Sequence, residues 1–331
     1  MNRRLPNPRT GAIDFAPTAN PESSGERLCT APSGRSLLFW RDQDDAKLYS
    51  RKIESTGVLS DPAVTDIVNP EVRLACATSG ASAFIVATTS KPDASAPLWD
   101  VTVRPFNSFA APNGATVNVG TAAAPVAVNA WGLANGFMVS WVPDSNANGP
   151  IGAQLLGNNG NVMAGFVFTL SEATDVAPRE PWGERIGMLD QFAFAYTRDS
   201  VPDGAGATHR EIALRVFKSA GDGTASALVS PDPNPQSQPR IAGNPTNGKF
   251  VVVWTGGAAN GENVFFRAFD AMGGAITPAT DAAESLVGQQ TQGSAAVDPV
   301  SGDVAIVWDS FVPNSGKPHK IVAKIFAGLL K

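Results

Sequence analysis

Apolar residues in this chain come in short runs, each ending on an aromatic and followed by a polar, glycine-rich loop and a second apolar run. The clearest case is Gly248-Lys249-Phe250-Val251-Val252-Val253-Trp254. After a loop come Glu262-Asn263-Val264-Phe265-Phe266-Arg267-Ala268-Phe269-Asp270 and the turn Met272-Gly273-Gly274. Runs of this length, rich in β-branched and aromatic residues and bounded by glycine turns, predict successive strands of a meander. The arrangement recurs six times. Aligned on the aromatic that closes the second strand, the units fall at Trp40, Ala87 (where the aromatic is lost), Trp141, Tyr196, Trp254 and Trp308, at spacings of 47, 54, 55, 58 and 54 residues. A period of roughly 50 residues with three or four strands per unit predicts the blades of a β-propeller.

Each unit opens with a predicted innermost strand: Glu26 to Thr30, Glu71 to Ala75, Pro125 to Asn129, Trp182 to Ile186, Pro239 to Gly243 and Ser294 to Asp298. The second strands are apolar on both faces, as expected where a blade is sandwiched between neighbours. The third strands carry a cation or amide at one register: Arg51, Arg104, Gln154, Arg215, Arg267 and Lys324. These are spread around a ring and cannot converge. Each stem is therefore expected to pack over its own blade's aromatic while the head group reaches a carbonyl or carboxylate at the edge.

The sixth unit has no outer strand before the chain ends, but Thr10 to Pro17 reads like the fourth strand Gly274 to Pro278. The prediction is an all-β, six-bladed propeller in which the N-terminal strand pairs with the last blade and removes an exposed sheet edge. It spans 1–331 as a single domain, with a solvated tail over 1–9 bearing Arg3, Arg4 and Arg9, and a closing strand over 10–20.

The run ending in Trp, the Gly/Asn loop, the Arg-x-Phe-Asp of unit five and the glycine turn together resemble the degenerate propeller-type repeats of large bacterial secreted and adhesin-like proteins. The resemblance covers about residues 10–331 and is strongest in units five and six. It implies a binding or display scaffold outside the cytoplasm, at the cell surface or in the medium, and no particular reaction.

Composition narrows the picture further. Gly 32 and Pro 26 suit a chain with many turns, and 43% hydrophobic residues suffice for a buried core. A net charge of −5 gives no reason to expect a nucleic-acid partner. No run approaches the roughly 18 apolar residues of a membrane helix. The first residues lack the apolar stretch of a signal peptide, so either none is used or a leader was removed. Cys29 and Cys76, each eleven residues before its unit's alignment position, permit a disulfide between units one and two or two free thiols.

Catalytic signatures are missing: there is no Gly-x-Ser-x-Gly elbow, phosphate loop, His-Glu-x-x-His or sialidase-type Ser-x-Asp-x-Gly-x-Thr-Trp box. His209 and His319 lie in loops of units two apart and read as solvated side chains, so no metal or cofactor is expected. The loop Asp144 to Gly149 has alternate oxygens but no bidentate Glu, and reads as a turn. Trp131 has no counterpart in other units and either stacks a sugar or caps its blade.

The innermost strands hold the best candidate site. At one register they place Arg27, Arg73, Ala127, Trp182, Arg240 and Ser294 around the channel, and three arginines with a tryptophan could surround an anion or a sugar. The expected ligand set is Arg27, Arg73, Trp182, Glu184 and Arg240. The leading expectation is a non-catalytic binding or adhesion module for glycans, anionic groups or another protein. A virion or surface-filament component is one alternative. The other is a channel hydrolase or lyase with Glu184 as base and Arg73 or Arg240 as clamp, which ranks last because no perturbed carboxylate can be placed from sequence.

Overall fold

The computed structural model describes residues 23–42, 45–71, 74–91, 93, 95–124, 128–143, 149–187, 190–200, 208–218, 223–258, 261–283, 288–312 and 319–331. Within them the secondary structure is all strand, in six antiparallel sheets. Blade one holds β1 (Ser23–Thr30), β2 (Ser36–Asp42), β3 (Leu48–Ile53) and β4 (Ala63–Val64). Blade two holds β5 (Ala75–Thr78), β6 (Phe84–Ser90), β7 (Trp99–Phe106) and β8 (Val117–Ala122). Blade three holds β9 (Val128–Gly132), β10 (Gly136–Trp141), β11 (Gly152–Gly157) and β12 (Val162–Thr169). Blade four holds β13 (Val176–Arg185), β14 (Phe192–Asp199), β15 (Arg210–Phe217) and β16 (Ala227–Leu228). Blade five holds β17 (Gln236–Gly243), β18 (Phe250–Ala258), β19 (Gly261–Phe269) and β20 (Thr280–Asp281). The last sheet has three strands, β21 (Gln289–Val297), β22 (Val304–Phe311) and β23 (Lys320–Phe326). The predicted closing strand, 10–20, lies outside the described residues, as does the tail.

Every strand pairs with its sequence neighbours, so each blade is a meander and its first strand forms one edge. Five core clusters each join two consecutive blades, one–two through five–six. This is why the second strands are apolar on both faces: β6 and β10 are buried along their whole length. Trp40, Trp254 and Tyr196 are among the largest fully buried side chains, and at about 25 cal/mol per Å² of apolar area such aromatics dominate the hydrophobic stabilisation.

The third-strand cations behave as expected, and they also cross between blades. Arg215 donates Nε to Thr224 O at 2.8 Å in its own blade and Nη1 to Leu170 O at 2.9 Å in blade three. Arg267 repeats this with Thr277 O and, in blade four, Val229 O, both at 2.9 Å. Their guanidinium carbons sit 5.0 Å over the Phe217 ring and 5.8 Å over Phe269. Cys29 and Cys76 form a disulfide with Cα atoms 6.1 Å apart, which joins blades one and two.

Candidate functional site in the central channel

Successive inner strands contact one another from β1 to β5, β9, β13, β17 and β21. Of these, β1, β5, β9, β13 and β17 wall a cavity of about 340 Å³, whose lining includes Arg27, Cys76, Asn129, Glu180, Trp182, Glu184, Gln238 and Arg240. The sequence-predicted Arg27, Trp182, Glu184 and Arg240 therefore meet at one place. Arg73 lies outside the described residues.

The register fails in units two and three for a definite reason. Facing the residue before the alignment position, the partners on the inner strands are Arg27, Cys76, Asn129, Trp182, Arg240 and Ser294. Cys76 thus stands where Arg73 was expected, and Asn129 where Ala127 was. In blades one, four, five and six the inner strand inserts one extra residue just before this position, between Ser24 and Arg27, Arg179 and Trp182, Ser237 and Arg240, and Thr291 and Ser294. The displacement comes from the turn that follows the inner strand: Thr78 pairs with Phe84 in blade two and Gly132 with Phe137 in blade three, enclosing five and four residues, where blades four, five and six enclose six. A turn one or two residues shorter cannot be read from an apolar pattern this short.

The bulges organise the channel wall. Glu180, Gln238 and Gln292 occupy equivalent bulge positions with φ of 50°, 55° and 56°, a conformation that costs a non-glycine residue on the order of 1 kcal/mol. The side chains of the first two reach the next blade. Glu180 Oε2 accepts the Gln238 backbone N–H at 2.8 Å, and Gln238 Oε1 accepts that of Gln292 at 3.2 Å and the Thr255 hydroxyl at 3.1 Å. These bonds offset the backbone strain and fix the spacing of the inner strands.

On β13, Trp182 and Glu184 flank Gly183, which blade three grips from below. Asn129 Oδ1 accepts the Gly183 N–H at 3.0 Å, and a Cβ at Gly183 would lie 2.6 Å from the Trp131 ring. Trp131 is buried against Phe192 and Phe194, with centroids 5.4 and 6.1 Å away, so it caps its blade and stacks no sugar. Arg240 covers a face of Trp182 at 4.2 Å. Trp182 therefore orients a guanidinium; of the two partners its flat face suits, sugar or cation, it takes the cation.

Glu184 lines the cavity but is ringed by protein, and burial pushes its carboxyl up from 4.5 to about 7, with the adjacent Arg185 partly opposing. Burial also lowers the Arg240 guanidinium, Glu180 acts against that, and the like charge of Arg27 adds to it. A carboxyl that titrates near neutrality can take or give a proton at physiological pH, a property sequence reasoning could not assign. Neither histidine lines this cavity. His209 Nδ1 lies 3.2 Å from Ser200 Oγ, and the exposed His319 pairs with Asp309 at 2.7 Å. The loop 144–148 lies outside the described residues.

The fold is a β-propeller. No protein-family model matches the chain, and no curated protein does. Among solved structures, the β-propeller domain of the Trilobed protease from Pyrococcus furiosus is 7% identical over 93% of this chain and 84% of that one, with a TM-score of 0.53. The α-L-arabinanase of Penicillium chrysogenum, complexed with arabinobiose, is 12% identical over 93% and 94%, with a TM-score of 0.58. A polysaccharide lyase, the PL25 ulvan lyase bound to -[GlcA(1-4)Rha3S]-, is 10% identical over 89% and 81%, with a TM-score of 0.55.

These findings correct the leading expectation. The non-catalytic binding or adhesion reading gives way, since the similar structures include carbohydrate-active enzymes and the channel holds the perturbed carboxyl that the sequence could not supply. Lectin-like and virion roles find no support either. No helix among the described residues is long and apolar enough to cross a membrane.

Proposed function

We propose that the chain is a glycan-cleaving enzyme, a hydrolase or lyase whose site is the central channel and whose proton-transfer group is Glu184. The observation that supports this most is the Glu184 carboxyl, poised at about 7 in a cavity it shares with Arg27, Arg240 and Glu180. The likeness of the fold to an arabinanase and an ulvan lyase supports the substrate class, since the bound ligands named for those two are an arabinobiose and a uronate-containing saccharide. The disulfide supports work in an oxidising compartment outside the cytoplasm. The test is release of sugar ends from a panel of neutral pentosans and uronate-bearing polysaccharides. Wild type should act on at least one, and Glu184→Gln should lose on the order of 10²-fold or more. Inactivity of the wild type on the whole panel, or full activity of Glu184→Gln, would refute it.

The same reading includes a ring of six blades in one domain, closed by residues 10–17 as the fourth strand of blade six. Two features support it. Blade six has three described strands where the others have four. Its face away from blade five presents Val307, Ile321 and Ile325, exposed by 39, 79 and 67%, and blade one presents Leu28 at 58%. Deleting residues 1–20 should lower the thermal midpoint and raise binding of a hydrophobic dye; an unaltered midpoint would refute the closure.

A further inference from the structure

The identity of the sugar follows from the two arginines, an inference that rests on the glycan-cleaving reading above. Arg27 on β1 and Arg240 on β17 hold the same register on two of the strands around the cavity. Each donates to the carbonyl beside it in the chain, Arg27 to Glu26 O and Arg240 to Pro239 O, both at 2.8 Å. A guanidinium carries five N–H donors, so one such bond leaves most of each fork uncommitted. Among the described residues no ion pair joins either arginine to a carboxylate. The nearby Glu180 has one oxygen engaged by the Gln238 backbone.

Two like charges held around one cavity are unfavourable until an anion arrives, and the Trp182 ring 4.2 Å beneath Arg240 holds that fork in a fixed plane. A planar carboxylate is the oxyanion that matches a guanidinium fork two bonds at a time. We propose that Arg27 and Arg240 form a subsite for the carboxylate of a uronic acid, so that the substrate is an acidic polysaccharide and its cleavage is a β-elimination.

Neutralising that carboxylate makes the hydrogen on the adjacent ring carbon, C5, acidic. The Glu184 carboxylate takes this proton, the C5–H electron pair becomes the C4=C5 double bond, and the C4–O4 bond breaks. The departing oxygen takes a proton from water, and the hydroxide so formed takes back the proton held by Glu184, which restores the carboxylate and leaves one new hydroxyl end and one unsaturated uronate end. Nothing is oxidised or reduced overall, and no metal or cofactor step is invoked.

The experiment separates binding from turnover by using Glu184→Gln. Its affinity is measured by calorimetry for three oligosaccharides of equal length: a uronate oligomer, a sulfated neutral oligomer and an unsubstituted neutral oligomer. The uronate should bind about tenfold or more tightly than the neutral one. Arg27→Gln and Arg240→Gln, added singly, should each remove on the order of tenfold of that preference, with Arg240→Lys in between. Circular dichroism checks that each variant is folded. With wild type, uronate cleavage should produce the ultraviolet absorbance of a C4=C5 double bond conjugated to the carboxylate.

Equal affinity for all three oligomers, preference for the sulfated one alone, or indifference to both arginine changes would overturn the subsite. Cleavage of neutral glycans without uronate preference would leave the enzyme reading standing and this one refuted. Uronate binding that needs both arginines, in a wild type that cleaves nothing, would refute the enzyme and the elimination step but not the subsite.

Discussion

Replacing both cysteines by alanine should destabilise the protein by about 4 kcal/mol. The disulfide joins residues 47 positions apart. In the chain-entropy account the cross-link removes 2.1 + 1.5R ln n cal/mol/K from the unfolded ensemble, which for a loop of this length is about 14 cal/mol/K, or about 4 kcal/mol at 25 °C. The folded state adds a second, smaller contribution, because Cys29 is buried in the core between blades one and two and two sulfur atoms are lost with the bond. Comparing three samples separates the two: oxidised wild type, wild type reduced and kept reduced, and Cys29→Ala/Cys76→Ala. Each is unfolded in urea, with fluorescence and far-ultraviolet circular dichroism followed together to verify a single transition. The entropic account expects the reduced wild type to lose nearly all of the 4 kcal/mol and the alanine variant about 1 kcal/mol more. A reduced protein within about 0.5 kcal/mol of the oxidised one would refute the account. It would mean that blades one and two come apart separately from the rest, or that the unfolded chain keeps them together.

Gly183→Ala should cost more than a glycine-to-alanine change in an open strand, because its Cβ would lie 2.6 Å from the Trp131 ring; about 1–3 kcal/mol of overpacking is expected in thermal unfolding, and Trp131→Leu in the same chain should recover part of it. Glu184→Gln should stabilise the protein with a defined pH dependence. A carboxyl raised from 4.5 to about 7 is bound to its proton more tightly in the fold, so wild-type stability falls as pH rises through that window. The charged and titratable groups lining the cavity or beside Glu184 are Arg185 and Glu180 on its own strand, Arg240 on β17 and Arg27 on β1. The advantage of Gln should be absent near about pH 4 and complete above about pH 7, read from urea midpoints; an advantage independent of pH would refute it. Arg267→Ala should cost about 1.5–3 kcal/mol by leaving the Thr277 and Val229 carbonyls without their charged donor, and Arg267→Lys should recover only part; a loss below about 0.5 kcal/mol would show the clamp to be dispensable.

The period of the chain was legible because it is written in large aromatics. Trp40, Trp254 and Trp308 are each buried at the same place in a blade, and the arginine two residues ahead of Phe217 or Phe269 crosses to a carbonyl as its repetition suggested. Inner strands were read less well, since they are short, polar and bulged. The turn after the inner strand has six residues in blades four, five and six, five in blades one and two and four in blade three, and each change of length shifts the inner strand against the aromatic used for alignment. That is how Arg73 came to be set beside Arg27 and Arg240 when Cys76 holds the place. Glu184 was visible as a residue but its chemistry was not, because desolvation depends on what surrounds a group in space. Trp131 was equally ambiguous: its burial is decided by Gly183, Phe192 and Phe194, more than fifty residues away.

The grip of blade three on Gly183 bears on how such a repeat protein can be inherited. Repeated blades are natural units of duplication and exchange, because each makes contact mainly with its two neighbours. Blade four cannot be exchanged in this way. The backbone between Trp182 and Glu184 is seated on Trp131 and bonded to Asn129, both from the preceding blade, and Trp131 has no equivalent in the other units. Blades three and four therefore make up one heritable module, and a chimera that brings in blade four from a relative should keep its channel chemistry only if blade three comes with it.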